Sequence, residues 1–241
     1  MKKLLFIATL LFIHTIPTQA QLGKTIGGLL NKDSGNEQAS NLSENEIVKG
    51  LKEALSVGIQ NGAKQASSLD GFLKNEAIKL LLPPELQRAE STLRKLGLGN
   101  EVDKFIVSLN RAAEDAAKES VPIFTQAITS MTIQDALGIL KGADTAATDY
   151  LKRTTRSQLY ETFFPVVQKN LDKNNTTKYY TDLANAYNKV PLVKKINPDL
   201  NEYATEKAID GLFHLIGEEE KKIRKDPVAR VSQTLKKVFG N

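Results

Sequence analysis

The chain has 241 residues and a formal net charge of +5, and 41% of its residues are hydrophobic. This hydrophobic fraction supports a packed core, which excludes global disorder, and the length suits one domain of about 200 residues after an export signal. The small net charge argues against nucleic acid as a partner, and the absence of cysteine excludes thiol catalysis and disulfide bonds.

The first twenty residues predict a secretory signal peptide. Two lysines precede an apolar run over residues 4–13, which is too short to cross a bilayer as a lone helix, and small residues precede a cleavage point after Ala20. No later stretch is apolar and long enough to span a membrane. We therefore expect a soluble mature protein, exported to the periplasm or cell envelope.

Residues 21–41 predict a short region outside the folded domain. It contains an apolar, glycine-rich piece, LGKTIGGLL at 22–30, and a polar linker rich in Gly, Ser and Asn at 31–41. The apolar piece has three open alternatives, which are docking on the domain, contact with a membrane and mobility. We expect the domain itself to cover residues 42–241.

The pattern over residues 42–241 predicts an all-α fold, a single compact multi-helix domain of many short helices. Apolar residues recur at helical spacing, glycine and proline interrupt them, and no stretch alternates as a strand does. Ser43–Glu46 is a capping box that begins the first helix, and Asp70-Gly71 marks a turn. Residues 77–82 are either a last helical turn or a short extended segment. Pro84 suits the first position of the next helix, which we expect to end at Gly97.

The alanine-rich stretch over residues 110–151 predicts the central helices of the domain. We expect Asn100 to cap a helix through Lys118 and Pro122 to break or kink it. A second capping pattern at Thr132–Asp135 begins a helix that stops at Gly142.

A third capping box at Thr155–Gln158 predicts a break between a helix over 143–152 and a later helix that Pro165 kinks. The remaining helices are predicted over residues 177–188, from Asn197-Pro198 into the charged run GEEEKKIRKD, and over residues 228–239.

Six runs in the chain resemble the domain of unknown function 4197 family. They are NRAAEDAA, PIFTQAI, MTIQDALGIL, AATDYL, IDGLFHLIGEEEKKIR and DPVARVSQTLKKVFG. The resemblance covers nearly all of the mature chain and implies an exported bacterial protein with a helical, single-domain fold in a Gram-negative envelope. The family has no established activity, so the resemblance implies no catalytic residues.

Polar residues inside the alanine-rich stretch are the first candidate site. Arg111 can pair with Glu114 one turn later, and Asp135 and Asp144 follow in the same region. Because buried charges are normally paired, these groups predict either a structural polar network or a ligand-binding pocket. In the pocket, Arg111 would hold an anion, or paired carboxylates with raised pKa values would act as acid and base. A carrier of an apolar ligand would instead need a cavity lined by side chains such as Phe105, Ile106, Phe124 and Leu137.

A basic segment near the carboxyl terminus is the second candidate site, with Lys221, Lys222, Arg224, Lys225 and Arg230. The glutamates at 218–220 precede these cations at helical pairing distance, so a solvated, self-paired helix end is one interpretation. A surface that binds an anionic membrane or an envelope protein is the other. Aromatic residues do not interleave with these cations, which argues against single-stranded nucleic acid.

The sequence gives little support to metal or cofactor chemistry. Asp210, His214 and Glu218 share one helix face, but the first and third lie about 12 Å apart along the axis, and no second histidine completes a zinc motif. There is no nucleophile elbow, phosphate-binding loop or dinucleotide fingerprint. We therefore predict a non-enzymatic binding or interaction module without a cofactor, and keep a carboxylate-based enzyme, with or without a metal, as the alternative.

Overall fold

The structure, a computed structural model, describes residues 43–95, 97, 99–173, 175–189, 192, 195, 197, 199–226 and 236, apart from the side chains at 85, 88, 89, 92, 93, 182–184, 186 and 187. The predicted signal peptide, the apolar piece at 22–30 and its linker lie outside the described residues. So does the predicted last helix over 228–239, except for Lys236.

The described residues form helices and connecting turns, with no strand among them, which confirms the predicted all-α fold. Eight helices are described: α1 (Glu44–Ser67), α2 (Pro84–Lys95), α3 (Gly99–Ala117), α4 (Ser120–Thr129), α5 (Ile133–Lys141), α6 (Ala146–Lys173), α7 (Thr176–Asn188) and α8 (Leu200–Lys225). Within this part of the chain, no helix combines the length and the apolar composition that crossing a membrane requires.

Helices α1, α3, α6 and α8 surround the core. Helix α8 packs against the other three, and α3 also packs against α6 and α1. Phe124 of α4 and Phe213 of α8 meet edge to face in this core, with ring centroids 5.7 Å apart, and neither side chain is accessible to solvent. The alanines of α3 at positions 112, 113, 116 and 117 are all buried, so the alanine-rich stretch does supply central packing surface.

Local sequence patterns predicted several helix ends correctly. The capping boxes at Ser43 and Thr132 both form. Each hydroxyl accepts from the backbone N–H three residues later, and the acidic side chain at that position accepts from the backbone N–H of the capping residue. Pro84 begins α2, and Gly97 follows that helix with φ +85°, a conformation that glycine adopts at little cost. Gly142 ends α5.

The predicted helix break at Thr155–Gln158 is wrong, because α6 runs without interruption from Ala146 to Lys173. Thr155 is buried within this helix, and its hydroxyl donates to the carbonyl of Leu151 at 2.7 Å instead of capping a new helix. Leu151 and Leu159 lie on either side of it in one buried stripe. Burial of that stripe outweighs the local capping preference.

Other boundaries differ from the sequence prediction by small shifts, such as the start of α6 at Ala146 instead of residue 143. Helix α3 begins at Gly99, so Asn100 is inside the helix and not its cap. The break near Pro122 falls just before it, because α4 begins at Ser120 and places the proline in its first turn. Asp199, and not Asn197, caps α8, and its carboxylate accepts from two N–H groups of the first turn.

The segment over residues 68–83, called here the 68–83 loop, connects α1 to α2 without helix or strand. It is nevertheless part of the core, because Phe72, Ile78 and Leu80 are buried. Residues 77–82 belong to no helix, although the Asn75 carbonyl accepts from the N–H groups of Ile78 and Lys79 in a single turn. A loop buried this deeply needs partners for its backbone polar groups, and several of those partners come from α3.

Candidate functional site

Arg111 and Glu114 meet as predicted, and they do so beneath the 68–83 loop. The Arg111 guanidinium donates to Glu114 Oε2 at 2.5 Å and to Asp70 Oδ1 at 2.6 Å. Asp70, which has a φ of +67°, also pairs with Lys74 at 2.7 Å. The hydrogen bonds from Lys74 and then Arg111 hold the pKa of the Asp70 carboxyl below its ordinary value. Arg111 therefore joins two carboxylates of this protein.

The Glu114 carboxylate is buried, with 3% of the residue accessible to solvent, and it acts as an acceptor for loop backbone. Its Oε1 accepts from the N–H groups of Phe72 at 3.1 Å and Leu73 at 3.2 Å. Both carboxylate oxygens are thus occupied, one by backbone donors and one by Arg111. A buried carboxylate with these partners stabilises the loop, and no open face remains for a substrate.

Asn110 adds a third attachment between α3 and the 68–83 loop. Its Oδ1 accepts from the Leu80 N–H at 2.9 Å, and its Nδ2 donates to the Leu80 carbonyl at 2.9 Å and to the Ile106 carbonyl at 2.7 Å. The side chain is fully buried. Its amide therefore pairs with one loop residue as a neighbouring strand would. The sequence analysis did not predict this role for Asn110.

Asp135 and Asp144 make their contacts in other places. Asp135 belongs to the exposed capping box of α5, where the Thr132 hydroxyl and backbone N–H hold the pKa of its carboxyl below the ordinary value. Asp144 pairs with Lys225 at 2.6 Å, which lowers the pKa of its carboxyl as well. A shared proton between catalytic carboxylates would need a raised pKa, and both of these shifts go the opposite way.

The charged run near the end of α8 is only partly solvated. Glu219 and Glu220 are buried, and Glu220 accepts from the N–H groups of Ala147 at 3.0 Å and Thr148 at 2.8 Å. The Thr148 hydroxyl donates to the same carboxylate at 2.7 Å. Because Ala147 and Thr148 are in the first turn of α6, Glu220 of α8 caps the start of α6.

Arg224 connects the same carboxylate to a second helix end. Its guanidinium donates to Glu220 Oε1 at 3.0 Å and to the carbonyl of Ile139, near the end of α5, at 2.9 Å. The side chain is 12% exposed. This pair joins α8 to the start of α6 and the end of α5. Arg224 is therefore a partly buried residue that connects helices, and its guanidinium is already paired within the protein.

The other cations of the basic segment are exposed but paired. Lys221 pairs with Glu218, Lys222 with Glu219, and Lys225 with Asp144. Arg230 lies outside the described residues. Each described cation of the predicted patch thus has an acidic partner on the protein, which reduces the charge available to an external anion.

The helix face with Asp210, His214 and Glu218 is also occupied by ion pairs. Arg156 of α6 donates to Glu206 and, at 2.9 Å, to Asp210, which joins α6 to α8. Glu218 pairs with Lys221. Over the described ranges, no group of three acidic or histidine side chains is placed to hold a metal ion.

An apolar groove runs along the exposed side of α3, between the start of α2 and the start of α7. It has a volume of about 1060 Å³. We call it the α3 groove and define it by its lining, which is Leu82, Leu86, Asn100, Glu101, Val102, Asp103, Lys104, Phe105, Val107, Ser108, Arg111, Thr176, Tyr179 and Tyr180. A second, smaller cavity beside Glu220 has about 20 Å³, enough for one water molecule.

The α3 groove combines a buried floor with an exposed apolar rim. Val102, Leu82 and Leu86 are buried, while Val107 is 39% and Tyr179 66% exposed. The rings of Phe105 and Tyr180 stack with centroids 6.1 Å apart. The cavity expected for a carrier is different from this groove, because Ile106 and Phe124 are buried in the core and only Phe105 is shared.

The family comparison supplies the identity of the chain. A family model described as "Protein of unknown function (DUF4197)" matches residues 41–240. The chain belongs to this family. The match confirms the resemblance carried by the six runs quoted above, and it covers the whole described helical region. No curated protein and no solved structure matches the chain.

Membership of the DUF4197 family brings no assigned site, so the candidate residues rest on geometry alone. Sequence reasoning placed Arg111 and Glu114 together but did not predict the α3 groove. Val107, Ser108 and Tyr179 were not singled out, because an exposed apolar residue becomes part of a groove only when neighbouring helices stand beside it. One sequence signal for the groove was available, because Val107 is an apolar residue that lies outside the buried stripe of α3.

Proposed function

We propose that this protein is an exported, non-enzymatic binding module of the cell envelope that holds an apolar ligand in the α3 groove. In this proposal, residues 1–20 are a cleaved signal peptide, residues 21–41 are a linker region, and residues 42–241 form the ligand-binding domain. The observation that carries the proposal is the groove of about 1060 Å³ with a mostly apolar lining.

The size and composition of the groove support a small apolar ligand. Small-molecule sites typically have volumes of about 300–1,000 Å³, apolar walls and a few polar groups, and the groove volume of about 1060 Å³ lies just above that range. A stable protein interface commonly uses about 20–30 residues on each side. The described lining is smaller than that, which favours a ligand over a folded partner.

The alternative of a carboxylate-based enzyme has less support. The Glu114 carboxylate accepts from two loop N–H groups and from Arg111, Asp135 caps α5, and Asp144 pairs with Lys225. General acid–base catalysis needs a carboxyl group with access to a substrate and a pKa near the working pH. The described carboxylates of the first candidate site do not share a cleft, and the pKa values of the Asp135 and Asp144 carboxyls are lowered by their partners.

A tryptophan reporter tests the groove, because the chain contains no tryptophan of its own. In a Tyr179→Trp variant, the indole replaces an exposed ring on the groove rim. We expect 1-decanol to shift its emission to shorter wavelength in a saturable way. An Ile133→Trp variant is the matched control, since Ile133 is an exposed apolar residue of α5 outside the groove lining, and its emission should not change.

A second pair of substitutions separates groove binding from adsorption on the surface. In the Tyr179→Trp background, Val107→Asp places a charge on the apolar rim and should abolish the response to decanol. Leu69→Asp places the same charge at a 77% exposed residue outside the lining and should leave the response intact. Equal responses from both reporters, or from neither, would contradict the proposed groove function.

Export is tested separately from binding. The protein purified from the periplasmic fraction of expressing cells should begin at Gln21, one residue after the predicted cleavage point. Recovery of the chain in the cytoplasm with Met1 intact would contradict the export part of the proposal and leave the groove experiment unaffected.

A further inference from the structure

We infer that the natural ligand of the α3 groove is a single-chain amphiphile with an anionic head, and that Lys104 holds that head. This inference rests on the proposed function and names the class of ligand. A fatty-acid anion has the required chemistry, with an apolar chain for the groove and a carboxylate for the lysine.

The charges that line the groove favour an anion at Lys104. Asp103 pairs with Arg94 at 2.7 Å, and Arg111 pairs with Asp70 and Glu114, so these two lining charges are already neutralised within the protein. Across the described residues, Lys104 has no ion pair or hydrogen bond with its side chain, and it is exposed. It is therefore the lining cation that remains available.

Glu101 is the remaining acidic group of the lining, and its position reduces its effect. It lies in the first turn of α3, where the helix N-terminus carries partial positive charge that favours a carboxylate. Lys104 lies one turn further on. The same helix end therefore compensates Glu101 and leaves the charge of Lys104 for a ligand.

The spacing along α3 places the cation beside the apolar rim. Lys104, Val107 and Arg111 follow one another at intervals of three and four residues, so they lie on one face of the helix. From Lys104 to Arg111 this face is about 10 Å long at 1.5 Å per residue. A lysine can lay its alkyl stem along an apolar surface while its ammonium group stays in water. An acyl chain over Val107 would thus present its head to Lys104.

The test compares decanoate with 1-decanol, which share a chain length and differ in the charge of the head. Both are titrated into the Tyr179→Trp reporter at neutral pH, with and without Lys104→Gln. We expect Lys104→Gln to weaken decanoate binding about fivefold, the size of one partly exposed charge pair, and to leave decanol binding unchanged. Lys104→Glu should weaken decanoate binding further, because it replaces attraction with repulsion.

Lys169→Gln is the matched control for the charge. Lys169 is an exposed lysine of α6 outside the groove lining, so its substitution changes the net charge equally and should alter neither ligand. Added salt should weaken decanoate binding and leave decanol binding unchanged. Equal effects of Lys104→Gln on both ligands, or no effect on decanoate, would overturn the inference while decanol binding still supports the groove. Failure of both ligands to bind would overturn the proposed function itself.

Discussion

At the scale of single residues, the buried polar groups of α3 mainly hold the 68–83 loop. Asn110, Arg111 and Glu114 point to backbone and side-chain groups of that loop, and two of them are fully or almost fully buried. A loop that contributes Phe72 to the core must have its N–H and C=O groups satisfied, because an unpaired buried polar group costs about 1–3 kcal/mol. The pairing of Arg111 with Glu114, predicted as part of a candidate site, therefore has a structural role in holding the 68–83 loop.

Replacing Glu114 should be costly for stability. Glu114→Ala leaves the N–H groups of Phe72 and Leu73 without their acceptor and removes one partner of Arg111. We expect a loss of about 2–4 kcal/mol in the free energy of unfolding, at the lower end of buried ion pairs because Arg111 is partly exposed. Urea denaturation of the purified protein measures this loss.

The neighbouring Asp115 is the control for that substitution. It pairs with Lys118 at 2.6 Å, and its side chain is 42% exposed. Asp115→Ala should change stability by less than about 1 kcal/mol, as surface pairs do. Similar losses for the two variants would show that the Glu114 carboxylate is not a structural acceptor.

Asp70 predicts a change of stability in acid. Its pKa is lower in the folded protein than the ordinary 3.8, because of Lys74 and Arg111. The unfolded chain therefore binds the proton more tightly, so the stabilisation from this group is complete above about pH 4 and is lost as the pH falls through the folded pKa. Asp70→Asn removes this contribution, and asparagine also tolerates the positive φ.

We therefore expect Asp70→Asn to be less stable than the original protein at neutral pH, and the difference to shrink below about pH 4. Urea midpoints measured over a pH series for both proteins give the comparison. A stability difference that stays constant down to strongly acidic pH would contradict the assigned interaction.

At the scale of elements, the close packing of the 68–83 loop against α8 depends on one glycine, Gly211. A Cβ added at Gly211 would lie 2.5 Å from Phe72 Cε1 and 3.1 Å from Ile78 Cβ. Both of those side chains are buried, so neither can move aside into solvent. The loop therefore approaches the helix backbone more closely than any other residue at 211 would allow.

Gly211→Ala should destabilise the protein by about 1–3 kcal/mol, although alanine favours helix more than glycine does. Gly138→Ala in α5 is the matched control, because nothing lies within 4 Å of its added Cβ. That variant should gain about 0.5–1 kcal/mol from helix propensity. Thermal unfolding measures both changes, and we expect the melting temperature to fall for Gly211→Ala and to rise for Gly138→Ala. A stabilised Gly211→Ala variant would contradict the close packing.

Local sequence patterns predicted some helix ends and not others. Ser43, Thr132, Pro84 and Gly142 marked helix ends correctly, since a cap is made by residues a few positions apart. The same kind of pattern at Thr155 failed, because the residues around it are buried against other helices. The start of α6 is capped by Glu220 of α8, which accepts from the Thr148 N–H. These two residues are 72 positions apart, so no local sequence pattern predicts the contact.

At the scale of the whole molecule, the helices differ in how many neighbours hold them. Helix α3 packs against α1, α2, α6 and α8, whereas the main described partner of α2 is α3. The ion pair between Arg94 of α2 and Asp103 of α3 is partly exposed on both sides. We expect α2 to open more easily than the rest of the domain, because local stability follows the apolar contacts that an element makes.

Hydrogen–deuterium exchange with mass spectrometry tests that expectation. Amides of α2 should exchange through local opening, well before those of α3 and α8, which should require global unfolding. Equal protection of α2 and α3 would contradict this difference. Because α2 forms one side of the α3 groove, bound decanol should also slow exchange in α2 if the proposed function is correct.

The sequence by itself determined the class of this protein and much of its helical layout. Its apolar periodicity gave the all-α fold, its capping residues and prolines gave most helix ends, and its long runs gave the family. These properties are local, since they depend on residues within about one or two helical turns of each other. The pairing of Arg111 with Glu114 was accessible for the same reason, as the two are three residues apart.

Only the tertiary structure decided which charges are buried and where an open apolar surface remains. The partners of Asn110, Glu114 and Glu220 come from distant segments, so their burial depends on how helices and the 68–83 loop meet. The α3 groove has the same origin, because its lining comes from three helices and the end of the loop. Packing between faces that are far apart in the chain sets both features, and one-dimensional periodicity carries no information about which faces meet.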